Sequence, residues 1–134
     1  MRIVRKLLSC LLLFALLPWA QAITTSDNFD YEAIKGNAQK YYGEVYTIVG
    51  TLIYAEEYHR SSDTSVVEEY ARIAVDGDDN QMICLHYVRD KNLFPLESGI
   101  QVAVLAYVDG VQRVGKDIVP LMEADSRPMP LNGE

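Results

Sequence analysis

Two hydrophobic patterns divide the chain. Leu7 to Leu17 is a run that is apolar except for Ser9, preceded by Arg2, Arg5 and Lys6 and followed by Pro18 and Ala20-Gln21-Ala22. A basic start, an apolar middle and small residues at the end are the order of a secretory signal, which predicts cleavage between Ala22 and Ile23. The run is about half of the roughly 20 apolar residues that cross a bilayer, so an uncleaved anchor is the weaker reading. A lipid anchor through Cys10 is weaker still, because most of the apolar run follows that residue.

Beyond the signal the pattern becomes that of a small folded domain, residues 23–125, with a disordered tail at 126–134. A short helix opens it. Ser26 or Asp27 is placed to cap it, Asp30 and Glu32 fall in its first turn, Lys40 lies near its end and Gly43 stops it. Phe29, Ala33, Ile34 and Tyr41 make its apolar stripe.

From Val45 the pattern switches to strands rich in Val, Ile, Tyr and Thr. The first runs to about Tyr58 with Gly50 inside it, where a missing side chain suits a bend or bulge. A polar loop, His59 to Ser65, leads to a second strand at Val66 to Val75, with Ala71, Ile73 and Val75 on one face and Tyr70 and Arg72 on the other. Asp76 to Asn80 is a hairpin turn and Met82 to Val88 a third strand. The connection Asp90 to Ser98 has room for one helical turn, and Ile100 to Val108 is a fourth strand, apolar on both faces. Asp109-Gly110 signals a turn, and Asp117 to Glu123 is a short fifth strand in which Pro120 points to an edge or a bulge. The fold predicted is mainly β: a small five-stranded OB-like barrel preceded by a short N-terminal helix.

Composition sharpens the compartment. With the signal removed, Cys84 is the one cysteine left, so no disulfide forms within the mature chain. The core alone must hold the domain, and a bacterial periplasm is favoured over a more general secreted destination. Three of the twelve basic residues and none of the nineteen acidic ones lie in the signal, so the mature formal charge falls to 9 minus 19, or −10. Such a surface repels a phosphate backbone and gives no stable attachment to anionic membranes.

Particular residues carry a likeness. Asn37-Ala38-Gln39-Lys40-Tyr41-Tyr42-Gly43-Glu44-Val45, then Val49-Gly50-Thr51-Leu52, Met82 to His86, and Gly99-Ile100-Gln101-Val102 resemble the exported bacterial proteins with a tRNA-anticodon-binding-like OB domain. The likeness spans Asn37 to Glu123. It departs from that pattern in the spacing of Ala38, in Glu44 where a basic residue is usual, and in His86 where an aromatic is usual. The resemblance implies an OB fold in an envelope setting and brings no catalytic residues; its name does not license RNA binding.

Candidate chemistry is sparse. Asp76-Gly77-Asp78-Asp79-Asn80 begins like a calcium loop, but Gln81 and Tyr87 stand where an EF-hand needs Gly and Glu, so neither a metal nor another cofactor is expected. Cys84 and His86 share a strand face, a core cysteine beside a rim histidine. Tyr58 at the end of the first strand, His59 and Arg60 in the first loop, Arg113 in the stretch Asp109 to Lys116, and Tyr70, Arg72 and Tyr87 on strands form a candidate contact surface for an envelope protein, peptide or small ligand. A small hydrolase built on His86 or His59 is the alternative, and a nucleic-acid-binding barrel is disfavoured by charge.

Overall fold

The computed structural model describes residues 28–60 and 65–131, the side chains of residues 58–60 excepted. The predicted signal peptide and its cleavage point at Ala22 and Ile23 lie outside the described residues, as do the proposed helix caps Ser26 and Asp27. Among the described residues no helix is long and apolar enough to cross a membrane.

Asp30 caps the observed helix α1, Tyr31–Gly36, its carboxylate accepting from the Ala33 amide at 3.1 Å. A 3-10 turn, Ala38–Tyr41, follows. The apolar stripe keeps Ile34, which is buried, and Phe29 and Tyr41, which pack partly against the core, but Tyr31 joins it buried, three residues before Ile34, and Ala38 takes a place where Ala33 was expected. The Tyr31 hydroxyl donates to the Met82 carbonyl at 2.8 Å, fastening the helix to the sheet.

Six strands follow: β1 (Val45–Arg60), β2 (Val66–Val75), β3 (Met82–Asp90), β4 (Gln101–Val114), β5 (Asp117–Glu123) and β6 (Met129–Pro130). They pair in the order β1-β2-β3-β5-β4, and β4 returns to β1, so five strands form a ring with the barrel-like, OB-like course predicted. Every pairing in the ring is antiparallel except β3–β5, a parallel seam of three residue pairs, Cys84–His86 with Leu121–Glu123. Alternation along each strand fills the ring: Ile73, Val75, Ile83, Leu85, Val102, Val108 and Met122 all point inward and are buried.

The first strand serves two partners. Val45–Thr51 pair with β4 and Gly50–Arg60 with β2, so Gly50 is opposite both Val102 and Val75. A Cβ there would press on the Ala74 carbonyl oxygen and lie 2.9 Å from Ile73 Cγ2. Only a residue without a side chain lets the two backbones approach this closely.

Several boundaries depart from the sequence reading. The antiparallel ladder with β2 carries β1 through a register shift at Glu57/His59 to Arg60, so His59 and Arg60 belong to a strand and pair with Glu68 and Val67. Asp109-Gly110 is a bulge and not a turn: Gly110, at φ +148°, absorbs the register shift opposite β5, and β4 continues to Val114. The reversal comes at Gly115-Lys116, which places Arg113 on a strand. The connection after β3 contains turns but no helical turn. The tail is ordered as far as Leu131, because β6 covers the edge that β4 leaves free at Val102 and Ala103, and Arg127 donates to the Phe94 carbonyl at 2.6 Å.

One polar group of side chains is sealed inside the ring. Glu69, 2% exposed, accepts from the Tyr87 hydroxyl at 2.6 Å and from Arg89 Nε at 2.7 Å. Arg89 also donates to the Leu93 carbonyl and to Glu57, tying β3 to the connection that follows it. Burial and the Glu69 hydrogen bond push the Tyr87 pKa well up, so the phenol stays protonated and donates.

Two outcomes follow from these contacts. Gly50→Ala will destabilise the fold by about 1–3 kcal/mol through overpacking, read as a drop in Tm, whereas an alanine at exposed Gly36, with nothing near its Cβ, will not. Glu69→Leu will cost about 3–5 kcal/mol because it takes from Arg89 its buried carboxylate, leaving the half-exposed Glu57, and from the Tyr87 hydroxyl its acceptor; the double replacement Glu69→Leu/Arg89→Met will cost less than the single one, and urea denaturation measures both.

Candidate functional site

The outward side chains of β1, β2, β3 and β5 form two rows that cross the strands, set by register alone. One row is Tyr54, Arg72, Cys84 and Leu121; the next is Glu56, Tyr70, His86 and Glu123. Period-two alternation on β2 and β3, and on β1 the bulge between Leu52 and Tyr54, put them on the face opposite the core residues Ala71, Ile73, Ile83 and Leu85.

In the first row the Arg72 guanidinium lies over the Tyr54 ring, 4.9 Å from its centroid, a cation–π contact that holds the side chain along the sheet. Beneath it Cys84 is 5% exposed although it points away from the core. Burial raises the thiol pKa, with Arg72 pulling the other way, so the cysteine stays protonated and is no ready nucleophile. Together with Glu56, Tyr70 and Gln112 these side chains line a groove of about 260 Å³.

The second row is a clasp. His86 Nδ1 is 3.1 Å from Glu123 and Nε2 is 3.3 Å from Glu68, so one ring bridges β2, β3 and β5. Tyr70 packs against that ring at 4.9 Å. Burial opposes a charge on His86, but the hydrogen bonds to Glu123 and Glu68 outweigh it and the pKa is raised from 6.5. With each nitrogen directed at a carboxylate, the ring is a structural bridge and not a free base.

No protein-family model, curated protein or solved structure matches this chain. The site therefore stands on its geometry. Of the residues singled out in the sequence, Tyr70 and Arg72 meet in the groove. Tyr87 does not: it sits on the opposite parity of β3 and its ring is 1% exposed in the core. Arg113 pairs with Ile118 on the exposed far stretch of β4 and lines none of this groove. Tyr58, His59 and Arg60 end β1, and their side chains lie outside the description. Glu56, Gln112, Glu68 and Glu123 join the site unannounced. Strand parity alone groups Glu68 with Tyr70; Glu123 needs the parallel seam, which no local pattern encodes. Among the described residues no cluster of His, Cys, Asp or Glu is arranged to hold a metal ion.

The clasp has a pH signature. A raised folded pKa means the stabilisation by His86 is fully present below the unfolded value near 6.5 and lost as pH rises through the folded value. The Tm of the protein will therefore fall as pH rises above the unfolded value near 6.5 by more than that of His86→Gln, with Glu68, Glu123 and Tyr70 the groups facing the ring. Equal slopes in the two pH–Tm profiles would exclude a charged clasp.

Proposed function

We propose that this chain is an exported, non-catalytic binding domain of the bacterial envelope that takes its ligand on the outer face of β1, β2 and β3. The observation that carries this reading is the groove between Tyr54, Tyr70 and Arg72, where two rings and a guanidinium sit half-exposed on a stiff sheet. Rings fixed on a rigid surface lose little conformational freedom on binding, and Tyr and Arg are enriched where partners dock. The signal-like N-terminus supports the address, and the sequence likeness to exported OB-domain proteins accords with it.

Two other readings have less support. A hydrolase needs a base with a free lone pair beside a nucleophile, whereas His86 is engaged at both nitrogens and Cys84 is buried and protonated. A nucleic-acid strand on this face would set its phosphates against Glu56, Glu68 and Glu123.

Chemical-shift mapping tests the surface. When isotope-labelled protein is titrated with fractionated envelope extract, the amides that move will centre on Glu56, Tyr70, Arg72 and His86, and the triple replacement Tyr54→Ala/Tyr70→Ala/Arg72→Ala will abolish the effect. Shifts confined to the connection around Phe94 or to the segment around Met129 would place the binding surface elsewhere.

A further inference from the structure

The charges of the groove define what it holds. Arg72 is half-buried, stacked on Tyr54 and close to the Cys84 thiol, and among the described residues no carboxylate lies within ion-pair reach of it. Arg89 on the adjacent strand, by contrast, has acceptors in Glu69, Glu57 and the Leu93 carbonyl. Glu56 is the diagonal neighbour of Arg72: it stands opposite Tyr70, two positions along β2. Diagonal side chains on an antiparallel pair are about 7–8 Å apart at the backbone, far enough to leave a gap between the two heads.

A plain anion on Arg72 would bring its charge towards Glu56, and a plain cation on Glu56 would bring its charge towards Arg72. A molecule with both charges a few bonds apart meets neither repulsion. Its carboxylate matches the planar fork of the guanidinium, and its ammonium matches the carboxylate of Glu56. The flanking rings of Tyr54 and Tyr70 offer apolar faces to whatever side chain it carries. The volume, about 260 Å³, is below the range of roughly 300–1,000 Å³ usual for drug-sized ligands and suits a small one.

Resting on the reading of this face as the binding surface, we infer that its ligand is a small zwitterion of the α-amino-acid class, with Arg72 receiving the carboxylate, Glu56 the ammonium, and Tyr54 and Tyr70 the side chain. His86 with its two carboxylates borders the groove and positions Tyr70 through ring contact.

The test uses the purified protein and the twenty L-amino acids, screened by ligand-observed NMR. At least one will show saturation transfer, and calorimetric titration will rank that amino acid at least tenfold tighter than both its deaminated acid and its decarboxylated amine. Arg72→Gln will weaken the amino acid and the deaminated acid alike by tenfold or more. Glu56→Gln will weaken the amino acid and narrow its advantage over the deaminated acid. The inference is overturned if none of the twenty binds, if a single-charge analogue binds as well as the zwitterion, or if Arg72→Gln changes nothing. Envelope-extract shifts that still map to Tyr70 and Arg72 in that event would leave the binding face standing and remove only the ligand class; loss of both would remove the two together.

Discussion

The close approach of backbones at Gly50 is the constraint from which the rest of the fold follows. At that residue β1 stops pairing with β4 alone and begins pairing with β2, so one strand closes the ring by belonging to both of its halves. Bonds on either side hold the pivot: the Leu52 amide donates to the Ile100 carbonyl at 2.9 Å, Gly99 to Leu52 at 2.7 Å and Asp76 to Val49 at 2.8 Å. Gly50 opens the ladder with β2, and two pairs further on a bulge at Ile53 shifts its register, so that Tyr54 stands opposite Arg72 on the outer face. Site geometry is therefore set jointly by the pivot that closes the ring and by a bulge that turns the next stretch of β1 over.

The opposite side of the ring is held differently. β3 and β5 meet over only three residue pairs, in the parallel arrangement whose bonds are slanted and slightly weaker per residue. Here the outer face contributes a side-chain clasp, His86 with Glu123 and Glu68, and the Ala124 amide adds a bond to the His86 carbonyl at 2.9 Å. Inside, Leu85 and Met122 pack across the same seam. The groove residues Cys84 and Tyr70 are neighbours of this clasp, so its protonation state bears on the binding face as well as on ring closure.

Most of the fold could be read from local pattern because strand alternation and punctuation are local signals. β2 and β5 matched residue for residue, and Gly50 was marked as a bend. What escaped depended on neighbours distant in sequence. Asp109-Gly110 carries the residues of a turn, yet pairing with β5 made it a bulge and carried β4 onward to Val114. Ala33 had the spacing of a buried stripe, but the helix starts late and presents Tyr31 beside the expected Ile34 to the core. Tyr87 has the composition of an interface residue; its parity on β3, shared with Ile83 and Leu85, decides that it is interior. Of the site, Tyr70 and Arg72 were legible from alternation in β2, whereas Gln112, Glu56 and Glu123 came from three other strands and needed the ring to bring them together.

Arg72 and Arg89 show how the same side chain takes opposite roles on adjacent strands. Arg89 shares the inward parity of Tyr87, is 5% exposed, and is satisfied by Glu69, Glu57 and a backbone carbonyl. Burying that head without its partners would be costly, so its environment is complete. Arg72 faces outward beside a ring and a thiol, and although acids outnumber bases nineteen to twelve in the chain, the nearest one by register stands on a diagonal and makes no ion pair with it. Stacking on Tyr54 restrains the guanidinium without using its donors, since a cation–π contact engages the face of the group, and the bond to the Cys84 sulfur takes only part of the five-donor edge. An arginine held still by a ring and a thiol, with no carboxylate paired to it, is preorganised for a planar acceptor, because the cost of immobilising the side chain is met in folding and is not repeated on binding. Parity therefore separates Arg89 from Arg72: one closes the interior, and the other is presented for recognition.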